Sequence, residues 1–262
     1  MKATVSLFLY RLFIFLLLPI ILLLLLLRSR TNPAYRNRLF ERIGFLPKHL
    51  KPNSILIHAA SVGEVIAIKP FIDQLLIHSP LTPITVTTFT PTGSAQVKKM
   101  YGDSVQHCYF PIDTIFATTL FLKKLKPKAV VFMETEIWPD LIARTKNQNI
   151  PLLLINGRLS EKSIKQYQKL RWLIANSLNK FDKILTQSEE NQQRFLQLGA
   201  QRSKCEVSGN LKYDIQLDNS HYDKGKELQQ FLVGQRKLWV MASTHAGDEK
   251  IVLDAFAEVI QE

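Results

Sequence analysis

Cysteine is almost absent from these 262 residues: Cys108 and Cys205 stand far apart and outside any CxxC spacing. That excludes a disulfide scaffold and a cysteine-based zinc site, and it fits a reducing compartment. No Gly-rich Walker or Rossmann fingerprint occurs, and no residues have metal-ligand spacing. Neither a metal nor a cofactor is therefore expected. Acidic residues are scarce as well, 22 against 34 basic ones, which leaves a net charge of +12. Such an excess points to an anionic partner: a membrane surface, a nucleic acid or a phosphorylated substrate. Short-period internal repeats are lacking too. What is present is a globular composition, 46% hydrophobic and 21% charged, long enough for one large or two modest domains.

Part of that apolar content is concentrated in one run, Leu12 to Leu27, which only Pro19 breaks in character. As helix its 16 residues reach about 24 Å, short of a hydrocarbon core of about 30 Å. Counting back to Leu7 closes the gap if Arg11 snorkels to the interface. A cleaved signal peptide wants small residues after the run, whereas Arg28-Ser29-Arg30 follow, so the reading is a retained anchor, single-pass or monotopic. Lys2 and Arg11 precede the run; Arg28, Arg30, Arg36, Arg38 and Arg42 follow it. The positive-inside rule then places the body on the cytoplasmic face. From Arg28 to Lys51 there are seven basic residues against Glu41 alone, a collar suited to anionic head groups as well as to topology. A nucleic-acid partner fits the net charge, but an excess beside an anchor favours lipid, and no nucleic acid is expected.

Behind Lys51-Pro52-Asn53, Ser54 to Ala59 reads as a buried parallel strand. Val65, Ile66, Ile68, Phe71, Ile72, Leu75 and Leu76 then recur at helical spacing, so a helix begins near Gly63. Such a junction leaves free N–H groups at the carboxyl edge of a sheet, where open α/β folds bind ligands. Ser61-x-x-Glu64 is also a capping box, and His58 on its own reads equally as a satisfied core residue. Further strands are expected at Ile84–Thr88, Val105–Tyr109, Ala129–Met133, Leu152–Ile155, Ile184–Thr186 and Cys205–Ser208. Helices fall between them, including one long basic helix from Ser160 to about Lys180. Repeated βα units imply a doubly wound, Rossmann-like α/β domain. The expected organisation is an anchor and flank at 1–30, the main domain at 31–209 and a polar connector at 210–236. A fresh strand (Leu238–Ala242) and helix (Gly247–Ile260) then open a second domain at 237–262. The sequence reads as cut off after that domain's first βα unit, since one such unit cannot cover its own apolar faces.

The strand ends collect a polar crowd. His58, Ser61 and Glu64 follow one strand, and Thr88, Thr90 and Thr92 another; Glu134 and Glu136 follow a third. Asn156-Gly157-Arg158 and Gly209-Asn210-Leu211-Lys212 complete the set. Three carboxylates with two cations resemble a site that removes a proton and neutralises an anionic leaving group. Glu134 and Glu136 read equally as a solvated loop. Because they would repel, Arg158 or Lys212 is the expected partner.

Six segments together resemble the 3-deoxy-D-manno-octulosonic acid (Kdo) transferases of lipopolysaccharide synthesis. They are His58-Ala59-Ala60-Ser61-Val62-Gly63-Glu64, Thr85 to Ser94, Met133 to Asp140, Asn156 to Ser160, Gly209 to Asp214 and Ser243 to Glu249. Pro33 to Arg36 and Glu41 to Phe45 match as well. The resemblance implies a two-domain B-type glycosyltransferase at the cytoplasmic face of the bacterial inner membrane. Its donor would be CMP-Kdo and its acceptor the disaccharide of a lipid A precursor. By motif, Glu64 matches the general base, and Glu134 and Lys212 match positions credited with stabilising the transition state. His58, Ser61, Gly63, Thr90, Thr92, Glu136, Arg158, Ser243, Thr244 and His245 fall in substrate-binding motifs. Family members continue into a second Rossmann-like domain that holds most of the CMP contacts. The alternative expectation is therefore a non-catalytic remnant, at most an anchored module for acidic lipid.

Overall fold

The computed structural model describes residues 2–214, 219–234 and 237–259. Parts of the expected connector (215–218 and 235–236) and of the expected second-domain start (260–262) lie outside the described residues. The chain forms two compact units, Met1–Ile215 and Gln216–Glu262.

The first unit holds a seven-stranded, wholly parallel sheet: β1 (Ile55–His58), β2 (Ile84–Thr88), β3 (Gln106–Tyr109), β4 (Ala129–Met133), β5 (Leu152–Gly157), β6 (Lys183–Thr186) and β7 (Cys205–Val207). Helix α1 (Lys2–Arg28) and the short α2 (Leu39–Arg42) precede it. Between the strands run α3 (Val62–Ala67), α4 (Lys69–His78), α5 (Pro91–Tyr101), α6 (Ile115–Leu125), α7 (Pro139–Asn147), α8 (Glu161–Lys169), α9 (Arg171–Leu178) and α10 (Glu189–Gln197). The second unit contains α11 (Asn219–Leu232) and α12 (Asp248–Val259).

The strands lie in the order β3-β2-β1-β4-β5-β6-β7. The chain winds outward one way from β1 and then crosses back to β4, which pairs with the free edge of β1 at Ile57↔Val131 and His58↔Phe132. This is a Rossmann-like α/β fold with its switch point between β1 and β4. Alternation along the strands sends neighbouring residues to opposite faces. Leu56, Phe132 and Leu154 join one core with Phe121, Leu141 and Phe181, while Ile57, Val86 and Val131 join the other with Val65, Ile72 and Val97. Each such fully buried aliphatic or aromatic side chain contributes about 1.5–3 kcal/mol. Both faces of the sheet are covered, as a parallel sheet requires.

Three expected elements differ. The helix begun near Gly63 is two helices, because Pro70 has no N–H to donate and its ring crowds the preceding turn. The expected Ser160–Lys180 helix breaks at Leu170 (φ −111°, ψ 26°), where burial passes from Ile164 on α8 to Leu173, Ile174 and Leu178 on α9. The expected strand Leu238–Ala242 has no regular structure, and Leu238, Trp239 and Val240 are exposed. No strand is present among the described residues of the second unit, so this segment has no ladder to join.

Candidate active site

The carboxyl ends of β1 and β4 meet at the switch point, and two loops deliver acidic groups there. After β1, Ser61 leaves the strand extended (φ −124°, ψ 167°) and caps α3, accepting from the Glu64 N–H. The Glu64 carboxylate reaches back, accepting from the Ala60 N–H at 2.9 Å and from the Ser61 hydroxyl at 2.9 Å. Of the expected capping box the Ser61 half is formed, while the Glu64 carboxylate takes the Ala60 N–H in place of the Ser61 N–H. These bonds hold the carboxylate in one orientation at 9% exposure. Burial pushes Glu64 up to about 7, and the negative charges of Glu136 and Glu134 add to the rise against its own hydrogen bonds.

Glu136 is held differently. Its Oε2 lies 3.2 Å from His58 Nε2 and accepts from Trp138 Nε1 at 2.8 Å. Burial alone would raise its carboxyl, but the hydrogen bonds from His58 and Trp138 and the interaction with His58 outweigh it and leave it below the usual range. His58 is fully buried, lies 3.0 Å through Nδ1 from Thr87 Oγ1, and stacks on Phe110 at 3.8 Å. It touches Glu136 from beneath and is a positioning residue. Two neighbouring carboxyls thus have environments that push them apart: one stays ionised, while the other exchanges its proton near neutral pH.

Glu134 sits between them in sequence but not in role. It adopts the left-handed region (φ 51°) and is half-buried, with its N–H on Ile155 O. Among the described residues its carboxylate has no hydrogen bond or ion pair. The expected partner, Arg158 or Lys212, forms no ion pair with Glu134 or Glu136 among the described residues. Arg158 is exposed and gives the site its backbone carbonyl, which accepts from Thr135 Oγ1 at 2.8 Å. For Glu136, His58 and Trp138 fill the partner role instead, and a buried imidazole with a half-buried indole satisfies a carboxylate with less desolvation than a buried cation would incur.

At the flank, Asn156 ends β5 in the left-handed region (φ 53°) and accepts the Leu211 N–H at 3.2 Å through Oδ1. That bond ties the turn bearing the exposed Lys212 to the strand edge. The Asn156 Nδ2 is buried without a partner. Thr90 caps α5 by accepting from the Gly93 N–H at 3.1 Å, and Thr92 is exposed beside it. A Cβ at Gly63 would meet only Ser61 Oγ, at 3.9 Å, so the free chain leaves open space there. In the second unit, Ser243 (φ 60°), Thr244 and His245 form an exposed turn before α12, with the His245 N–H donated to Asp248 at 2.8 Å. Trp138 is the site residue that sequence reasoning did not single out; Asn156 stood among the expected strand-end polar residues, without its tie to Leu211. The sequence signals for Trp138 were its place before Pro139 at a helix start and within the Met133 to Asp140 segment.

Three comparisons bear on this arrangement. The family model described as 3-Deoxy-D-manno-octulosonic-acid transferase (kdotransferase) matches residues 37–215. A 3-deoxy-D-manno-octulosonic acid transferase of Haemophilus influenzae is 40% identical over 229 residues, 87% of this chain and 54% of that protein. Its namesake in Rickettsia bellii is 32% identical over 247 residues, 94% of this chain and 58% of that protein. The chain thus spans about half the length of these relatives. Among solved structures, UDP-GlcNAc 2-epimerase from Neisseria meningitidis aligns with a TM-score of 0.45 at 16% identity, covering 68% of this chain and 54% of that one.

Proposed function

The chain belongs to the 3-deoxy-D-manno-octulosonic acid transferase family, and we propose that it carries the acceptor half of a glycosyltransferase site. In this reading Kdo passes from CMP-Kdo to a hydroxyl of a lipid A precursor (lipid IVA) in lipopolysaccharide core synthesis. The Glu64 carboxylate takes the proton of the acceptor hydroxyl. That oxygen then forms a bond to the anomeric carbon of Kdo while the bond from that carbon to the CMP phosphate breaks, and CMP leaves as the anion. The unpaired Glu134 carboxylate faces the positive charge that develops on the sugar, and the Lys212 ammonium meets the departing phosphate. Ser61 and the Ala60 N–H hold Glu64 in orientation, and burial together with the charge of Glu136 keeps it in its raised titration range. Thr90, Thr92, Gly63 and Arg158 line the acceptor side, and Ser243, Thr244 and His245 belong to the donor side. The body works at the cytoplasmic face of the inner membrane, with α1 as its anchor and the exposed Arg28, Arg30 and Arg36 against anionic head groups.

The observation that carries the reading is Glu64 itself: a buried, doubly hydrogen-bonded carboxylate at the switch point, raised to about 7, where a general base works best. Membranes carrying this chain test it, assayed for transfer of Kdo from CMP-Kdo to a lipid A precursor beside Glu64→Gln. Transfer is expected to fall by about 10²–10⁴-fold in the variant, with acceptor binding unchanged. Equal rates would contradict the assignment. The exposed arginines beside an apolar helix favour one second reading, a non-catalytic anchored module for acidic lipid. It predicts acceptor binding without transfer from either chain.

A further inference from the structure

Helix α1 is apolar enough to cross a membrane over Val5–Arg28. Its packing is that of a helix laid along the domain. The half-buried positions Leu7, Arg11, Ile14, Leu18, Ile21 and Leu25 recur every three or four residues, one continuous stripe. That stripe runs about 27 Å, five turns, and faces α7 and α9 of the same unit. The opposite stripe is wholly apolar and exposed, with Phe8, Phe13, Phe15, Leu16 and Leu23 among its members.

Polar contacts in the first half of the helix tie it to the domain. Near its start, Tyr10 OH donates to Asp113 Oδ2 at 2.8 Å, and Arg11 donates to Asp140 Oδ1 at 2.7 Å through Nε. Arg11 Nη2 closes on the same oxygen at 2.6 Å. These carboxylates are parts of the body. Asp113 accepts the Asp140 and Leu141 N–H groups that open α7, and Asp140 also accepts from Arg144 and Thr118. At the other end the Arg28 guanidinium lies over the Tyr35 ring at 5.9 Å, and the chain continues through the 3-10 turn Pro33–Tyr35 into α2.

We infer that α1 is an in-plane helix, locked along the domain by Tyr10–Asp113 and Arg11–Asp140, and that its exposed apolar stripe enters a single leaflet of the membrane. Crossing would carry the Arg11–Asp140–Arg144 cluster, with the first turn of α7, into the hydrocarbon, where charged groups are costly. Lying flat leaves that cluster on the protein side. The apolar surface also continues onto the body, where Phe40, Phe45, Ile115 and Phe116 are exposed and the Phe45 and Phe116 rings meet at 5.8 Å. The exposed Arg28, Arg30 and Arg36 then sit where an in-plane helix meets anionic head groups. The occupant of this surface is a lipid monolayer.

The test uses the full chain in sealed membrane vesicles of either orientation, labelled with a membrane-impermeant maleimide. Cys108 and Cys205 are buried, so background labelling is low. Lys2→Cys probes the start of α1, and Asn37→Cys, exposed just beyond it, marks the side of the body. An in-plane helix predicts that both positions react in the same vesicle orientation and neither reacts in the other. Reaction of position 2 from the face opposite position 37 would establish a crossing helix and overturn the inference. Reaction of position 2 from neither face until detergent is added would place it in the hydrocarbon and overturn it equally. Labelling reads topology alone, so its outcome is independent of whether Kdo is transferred.

Discussion

At Glu64 two readings of a single spacing turn out to be one structure. Ser61-x-x-Glu64 gives both the Ser61 cap and a carboxylate at a helix start, and the Ser61 hydroxyl with the Ala60 N–H is what points the carboxylate. The spacing did not carry the titration range, because that depends first on burial and then on the charge of Glu136, and only the assembled sheet supplies both. The same holds for His58, whose partner Glu136 is fixed by β1 pairing with β4. A consequence for stability follows. The folded carboxyl titrates near 7, above its unfolded value near 4.5, so the folded state holds a proton that the unfolded chain releases. Stability contributed at low pH is therefore lost as pH rises from about 4.5 to 7 and stays lost above. Glu64→Gln is expected to stabilise the chain by about 1–3 kcal/mol at pH 8, with the gain vanishing near pH 4. Chemical denaturation at the two pH values checks it, and a variant less stable at pH 8 would contradict it.

Among the elements, the strands were the most legible, since short apolar runs bounded by turn residues admit few other structures. Ala129–Met133 and Ile84–Thr88 came out with the expected bounds. Helix continuity was less legible. Pro70 is a breaker visible in the sequence, whereas the break at Leu170 follows from which side chains the sheet buries. Helix α1 shows the limit most sharply. Its apolar run is plain, but Arg11 reads as a residue snorkelling to the interface until Asp140 on the first turn of α7 meets it, as the Asp113 loop meets Tyr10. Arg11→Leu removes one partner of the buried Asp140 and leaves Arg144 and Thr118 on it. The expected loss is about 1–3 kcal/mol of stability, read by thermal unfolding of the detergent-solubilised chain. An unchanged midpoint would mean that the contact contributes nothing.

Over the whole molecule, the chain's first unit is a doubly wound sheet, and the acidic site lies where strand order reverses. That placement gathers Glu64, Glu134 and Glu136 from segments 70 residues apart at its ends. Composition raised the expectation of an anionic partner, and the motif set pointed to the family. What neither could supply is the separation of carboxyl roles, with Glu136 kept ionised by His58 and Trp138 and Glu64 raised by burial. The most direct measurement is the pH dependence of Kdo transfer by membranes carrying the chain, with Glu64→Gln as the comparison. A base near 7 predicts a rate that rises through about pH 7 and levels above it, and a variant slower by about 10²–10⁴-fold that lacks this limb. The same limb in both chains, or a variant as fast as the parent, would contradict Glu64 as the base.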